Sequence, residues 1–473
     1  MNLPRLLRTV RYLRPAQVTN RLGRRMPASR RAIAWGLRPQ NAPFAPFADY
    51  DPAPLLAVSR LRDYTLHYHQ RVTAAEAVCW IDSNPPASRP AWEPYPLSLR
   101  IVNWVKRLDR PSDRILASLA VQADYLSRTV EHHLLANHLF VNAKALVFAG
   151  VFLCEDRWLR QGLQILEREI PEQVLMDGGH YERSPMYHSL ILEDLLDLVN
   201  LGRAYPGLLP DFAEPATRML IWLDRMTHPD GEIAFFNDAA FRVAAPPCEL
   251  HAYATRLGIA SASCPLSDSG YIRLENAHTV VLFDAAPIGP NYQPGHAHAD
   301  TLSFELSHRG RRLVVNSGTS TYENSPERHR QRGTAAHNTI CVDRRDSSEV
   351  WAAFRVGRRA RPFAVSTDHR TWAEAAHDGY KPVIHRRRLE LHSERLVVTD
   401  SIKGCGRHDL GIFFHLFPGA DPNVIYLDPV LARSVEETTF HPQFDSSKPN
   451  QTLIGRWSGE LPIRVTSAVC FPV

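Results

Sequence analysis

The chain has 473 residues, 44% of them hydrophobic and 22% charged, with a formal net charge of +5. These values exclude a collagen-like, low-complexity or disordered chain, and the length predicts two to four domains. A charge this small implies no strong field, and no nucleic-acid motif accompanies the basic stretches Arg355–Arg361 and His385–Arg388, so nucleic acid is not an expected partner.

Residues 1 to about 50 read as an arm, basic first and then Pro-rich (RPQNAPFAPFADYDPAP). Arg5, Arg8, Arg11 and Arg14 recur every three residues among Leu3, Leu6, Leu7, Val10 and Leu13. That spacing predicts a short basic amphipathic helix. It is expected to dock on its own protein, with peripheral association on a membrane surface as the alternative. The longest apolar run, Ala145–Cys154, is far too short to span a bilayer. The opening segment has neither the apolar stretch nor the cleavage site of a secretory signal. The seven cysteines are an odd number with no CxxC, which argues against a disulfide framework. A reduced, cytoplasmic protein is expected.

From 51 to 245 the pattern is helical. SDRILASLAVQADYLSRTVEHHLL carries apolar residues at three- and four-residue spacing. NHLFVNAKALVFAGVFL is apolar on most faces and predicts a buried helix. Ser184-Pro185 starts another, with Pro at the first helical position, and EPATRMLIWLDRMT gives a fourth. Many helices with short connections suggest a bundle or toroid. From 265 to 473 the texture changes to short β-branched or alternating runs, such as Thr279–Phe283, Arg312–Val315 and Arg395–Thr399. Strands at this spacing without intervening helices predict an antiparallel sandwich.

Four clusters carry chemistry. In Gly295-His296-Ala297-His298-Ala299-Asp300, an extended backbone would put 296, 298 and 300 on one side. His298, His337 and an oxygen from Asn316 or Asp300 then make candidate ligands for zinc; the alternative is histidines that hydrogen-bond between sheets. Asn137 and His138 open a helix on which His138 and Asn142 share a face. Asp177–His188 runs a turn into a helix whose first turn carries Tyr187 and His188, where the dipole favours an anion. Glu232 with Phe236-Asn237-Asp238 reads as a structural turn unless it faces the cleft. Fifty of the 55 basic residues are arginine. That reflects either a GC-rich genome or bidentate recognition of acidic groups.

The segments NHLFVNAKALVFAG, DGGHYERSPMYH, GHAHADTLSFEL and LVVNSGTSTYENSPERHRQRGTAAHNTICVD occur in one order. Through them the chain, from about residue 110 to 420, resembles the heparinase II/III-like polysaccharide lyases. The resemblance implies an incomplete helical toroid followed by an antiparallel β-sandwich. It also implies cleavage of uronate-containing polysaccharides or oligosaccharides by β-elimination. By this resemblance Asn137 and His138 neutralise the substrate carboxylate and Tyr187 protonates the leaving oxygen. His296 or His138 is the partner base. His298, Asn316 and His337 are implied ligands of a structural zinc ion, although Asn316 stands where the family usually has Asp. Glu182, Arg183, Tyr322, Arg330 and Arg332 are candidate contacts to the acidic sugar, and Arg328 is a further basic candidate. Two other readings compete: a glycoside hydrolase using paired carboxylates from Asp177, Glu182, Glu193 and Asp238, and a non-catalytic polysaccharide-binding accessory.

Overall fold

The computed structural model describes residues 3–23, 42–52, 59–261 and 266–471. Residues 24–41 of the expected arm, and Cys264, lie outside the described residues. Among those described, helices fill the first part and end with Pro247–Arg256, a helix just beyond the expected limit of 245. No described helix is long and apolar enough to cross a membrane.

The Ala136–Phe152 helix is the hub of the helical part. All but one of its residues are buried, as its apolar circumference predicts. It packs against Pro94–Arg107, Asp113–Thr129, Asp156–Gln173 and Pro185–Ala204. The approach to Asp156–Gln173 is very close. A Cβ on Gly150 would lie 2.5 Å from Leu159 N, and one on Gly162 would lie 2.7 Å from Ala143 O. Glycine at both positions lets the two helices meet. The Pro185–Ala204 helix then passes the chain to Ala213–Met226 and Pro247–Arg256. Successive helices packed on their neighbours give the expected toroid.

The sandwich begins at Tyr271. Its strands pair antiparallel in three main sheets. One runs through Tyr271–Glu275, Thr279–Asp284, Phe304–His308 and Arg311–Val314. A second has Lys448–Glu460 and Arg407–His415 at its centre. The bridge between Val314 and Leu416 ties these two together. The third, six-stranded, contains Trp372–Tyr380, Val383–Leu391, Arg395–Lys403 and Ile463–Cys470. One apolar core, with Val281, Phe304, Ile340, Leu389, Val398, Phe414 and Leu453, lies between them. Val383–Leu391 shows the period of two: 383, 385, 387, 389 and 391 are buried while the residues between are half-buried.

The arm docks as expected, but by its polar face. The Leu3–Val10 helix sets Arg5 and Arg8 on Glu349 of the sandwich. Trp351 Nε1 donates to Thr9 Oγ1 at 3.1 Å. Arg14 pairs with Glu172 of the helical part and lies 3.6 Å above the Tyr292 ring. The arm thus bridges both parts.

Inside the sandwich Arg387 is fully buried. It donates to both oxygens of Asp400 at 2.8 and 3.0 Å and to the carbonyl of Leu302. His385 shares the same carboxylate at 2.7 Å. Despite burial, Arg387 and His385 hold the Asp400 carboxyl down at about 2. A depressed carboxyl stabilises the fold above its unfolded value near 4 and loses that contribution as pH falls toward 2. Its size is about 2 kcal/mol. Chemical denaturation across pH 5 to 2 should therefore show the wild type losing stability more steeply than Asp400→Asn; parallel curves would contradict the assignment.

Candidate active site

The site forms where the helical part meets the loops of the sandwich. Ser184 caps the Pro185–Ala204 helix, its Oγ accepting from Tyr187 N at 3.1 Å. The same hydroxyl donates to the carbonyl of Asp238. One serine thus fixes the helix start and ties it to the 237–238 turn. Tyr187, on the first turn, is 7% exposed. Its ring stacks on His296 with centroids 3.8 Å apart, and its hydroxyl lies 3.0 Å from that of Tyr322. Burial pushes the Tyr187 hydroxyl well above its ordinary value, so it is a neutral phenol.

Asp238 organises the cluster; the sequence reading made it part of a structural turn unless it faced the cleft, or one of a hydrolase's carboxylates. It is fully buried. Arg328, also fully buried, donates to both of its oxygens. His296 Nδ1 meets Oδ2 at 2.9 Å and His298 Nε2 meets Oδ1 at 2.8 Å. Arg328 and the two histidines hold the carboxyl well below its ordinary value, so it is ionised. An ionised carboxylate only accepts. His296 must therefore carry its proton on Nδ1, which leaves the Nε2 lone pair. His298 must carry its proton on Nε2, which leaves the Nδ1 lone pair. Burial lowers both imidazoles, so both are neutral. The Pro294–Asp300 stretch does this as an irregular loop and not as the expected strand. Instead of alternation, the 237–238 turn gathers the three residues. Asp300 Oδ2 accepts from Asn237 N at 3.0 Å.

Asn137 and His138 open the Ala136–Phe152 helix behind two positive-φ residues, Leu135 and Ala136. His138 Nδ1 lies 3.1 Å from Glu131 Oε2, and Asn142 also reaches that carboxylate. The His138 ring packs 4.6 Å from that of Tyr95. Tyr95 bonds Asn137 and feels the field of Glu182. His296 lies within the field of His138, and Tyr187 within that of Tyr95. Glu131 and Tyr95 were missed in the sequence. His138 and Asn142 at i and i+4 were the signal that an acidic partner was needed.

The other sequence candidates separate. Tyr322 joins the cluster, between Tyr187, Phe354 and Phe444. Arg332 does not act as a sugar contact here: it is fully buried and donates to the carbonyls of Ala297, Ala352 and Arg355. Arg183 is likewise committed, to the carbonyls of Ser269 and Tyr181. Arg330 lies with Glu327, Thr439 and His441, lining residues of a separate surface depression. Glu182 is 2% exposed, and neither of its oxygens has a hydrogen-bond partner. Burial and Asp238 push it up to about 8, which makes it a neutral acid walled off from solvent. His188 is also structural, bonded to the carbonyl of Met219 at 2.9 Å.

Of the carboxylates a hydrolase would need, three are engaged elsewhere, and Glu182 is buried without a hydrogen-bond partner. Asp177 accepts from Ser267 and Ser269. Glu193 sits by Lys106, in a buried group with Lys144 and Asp197. Asp238 is locked by Arg328.

For a cation, the donor set is mixed. His298 Nδ1 is buried without a partner, the buried His337 ring bonds the Gln331 backbone through one nitrogen, and the two rings lie 5.2 Å apart. Neutral imidazoles with free lone pairs fit zinc, and Asp238 behind His298 is the kind of carboxylate that orients a ligand. Asn316 fits less well, because Asn338 N donates to its oxygen at 3.3 Å. Asp300 is no substitute, being committed to the Asn237 amide. Among the described residues no group of three His, Cys, Asp or Glu could hold a metal.

Two family models match the chain: the heparinase II/III N-terminus over residues 112–249 and the heparinase II/III-like C-terminal region over 260–459. Together they cover more than two thirds of it. A heparin-sulfate lyase from Bacteroides thetaiotaomicron is 26% identical over 412 residues, covering 73% of this chain and 57% of that protein. One from Pedobacter heparinus is 25% identical over 344 residues, covering 65% and 50%. The chain thus spans about half the length of the curated relatives it matches. A crystal structure of heparinase III superposes with a TM-score of 0.68 at 20% identity, covering 85% of this chain and 73% of that one. A heparan sulfate lyase mutant from Pedobacter heparinus gives 0.63 at 19%, covering 88% and 76%. These structures share the fold of helical toroid and antiparallel sheet domain, and by the two family models the chain belongs to the heparinase II/III-like family.

Proposed function

We propose that the protein is a polysaccharide or oligosaccharide lyase that cleaves uronate-containing glycans by β-elimination. The observation that carries this reading is the stack of a neutral phenol, Tyr187, on His296, whose Nε2 lone pair is set by Asp238. A base and an acid in contact are what an elimination needs. The curated heparin-sulfate lyases support the same chemistry.

In this reading His296 Nε2 takes the proton from C5 of the uronate. The C5–H electrons form the C4–C5 double bond, and the C4–O bond breaks. The Tyr187 hydroxyl gives its proton to the departing oxygen. Asn137 and His138 donate to the carboxylate as charge builds on it. Tyr322, whose hydroxyl shares a hydrogen bond with that of Tyr187, orients the phenol. A carboxylate pair for hydrolysis finds no support, because Asp177, Glu193 and Asp238 are held by other groups and Glu182 is left without a carboxylate partner.

His298 through Nδ1, and His337, would hold a structural zinc ion, with Asn316 as the third candidate. When bound, the ion would supply a cross-link between the 294–300 loop and the segment around His337.

Incubation with a panel of uronate polymers and oligomers should raise the ultraviolet absorbance of the conjugated double bond. Tyr187→Phe should lower the rate by about a hundredfold or more. New reducing ends without absorbance would move the assignment to a hydrolase; binding without either signal would favour the accessory. Metal analysis tests the second assignment separately. Asn316→Asp should raise the zinc retained after dialysis, and His298→Ala should abolish it. Equal zinc in all three proteins would overturn the ligand set.

A further inference from the structure

We propose that the arm forms a docking surface for anionic phospholipid headgroups. The first helix is mounted in reverse. A helix on a protein surface normally buries its apolar face and exposes its charges. Here Arg5 and Arg8 turn inward onto Glu349, and Thr9 meets Trp351. Three of the helix's four large aliphatic side chains are left outside, Leu3 60% exposed, Leu7 58% and Val10 38%, while Leu6 is half-buried. Val18, on the following Pro15–Gly23 helix, is 47% exposed. Burial alone would not choose this orientation, since it leaves four large aliphatic groups in water within sixteen residues. It is the orientation that presents them to another apolar phase.

The charge around them selects the occupant. The described residues 3–23 contain five arginines, Arg5, Arg8, Arg11, Arg14 and Arg21, and no acidic residue. Glu349 and Glu172, from elsewhere in the chain, partner Arg5, Arg8 and Arg14. Arg11 and Arg21 are exposed beside the aliphatic groups. The sandwich adds more positive charge to the same region. Arg355 is exposed and close enough to Arg21 to feel its field. Arg361 is exposed and bonds the Tyr12 hydroxyl, and Arg359 stacks 3.9 Å from that ring. Exposed aliphatic side chains ringed by surplus arginine match the interface of an anionic bilayer. Acyl chains take the leucines and headgroups take the guanidiniums. The bridges to Glu349 and Glu172 hold the arm in place, so the surface is formed before it meets the membrane.

Flotation of the full chain with phosphatidylglycerol–phosphatidylcholine vesicles, against phosphatidylcholine alone, tests this. The protein should float with the anionic vesicles only. Leu3→Ser with Leu7→Ser should weaken binding by about tenfold or more, and Arg11→Glu with Arg21→Glu should do the same, with the thermal transition of each variant unchanged. Absence of binding to anionic vesicles overturns the proposal. So does binding that the serine variant retains but an acidic oligosaccharide displaces, which would make the patch a sugar-binding surface.

Discussion

A carboxylate shut away from water has to be neutralised by its neighbours, and its remaining lone pairs have to find donors. Asp238 meets this demand in a way that builds the site. Arg328 supplies the opposite charge across both oxygens. Two imidazoles donate as well, one on each oxygen, and the Thr319 hydroxyl adds a third donor at Oδ1. Because the acceptor cannot donate, each ring is forced into one tautomer, with its other nitrogen left as a lone pair. The Asp238 backbone works too: its carbonyl accepts from Ser184, which starts the helix carrying Tyr187. One residue thus positions the phenol, the neighbouring imidazole and the imidazole that would face a metal.

The same device, a buried arginine that gathers chain segments, recurs through the sandwich. Arg332 gathers carbonyls from Ala297, Ala352 and Arg355, which pins the histidine-bearing loop to the 351–355 turn. Arg387 joins Asp400 to the Leu302 carbonyl across the core. Guanidinium groups suit this work because five donors in a rigid fork can meet several acceptors at once without losing charge. Part of the arginine bias in this chain is therefore structural: three of its arginines are fully buried in these roles. The arm adds ion pairs to both parts of the molecule, Arg5 of the first helix to Glu349 and Arg14 beyond that helix to Glu172.

The broad architecture was legible because its periodicities are strong. The stretch at Ala136–Phe152, apolar on most faces, reads as a buried helix. The strands rich in Val, Ile and Leu were equally plain. Among the strands that escaped notice, Trp372–Tyr380 reads WAEAAHDGY, without Val, Ile or Leu, and six of the nine residues of the largely exposed Ala432–Phe440 are charged or hydroxylated. The site was legible in its motif residues but not in its wiring. His296 and His298 stood out, yet alternation was the wrong reason for their convergence, because a turn sixty residues away collects them. Asp238 looked like an ordinary turn acid, since nothing local signals that Arg328 will cover it. Arg183 and Arg332 looked like sugar contacts because sequence alone cannot tell a guanidinium facing a cleft from one filling a core.

The central claim is that Asp238 sets the two histidine tautomers, and nitrogen-15 NMR of protein labelled at histidine reads them directly. His296→Gln and His298→Gln variants assign the signals. At neutral pH His296 should appear neutral, protonated on Nδ1 with Nε2 bare, and His298 neutral, protonated on Nε2 with Nδ1 bare. A doubly protonated His296, or the opposite tautomer in either ring, would contradict the account.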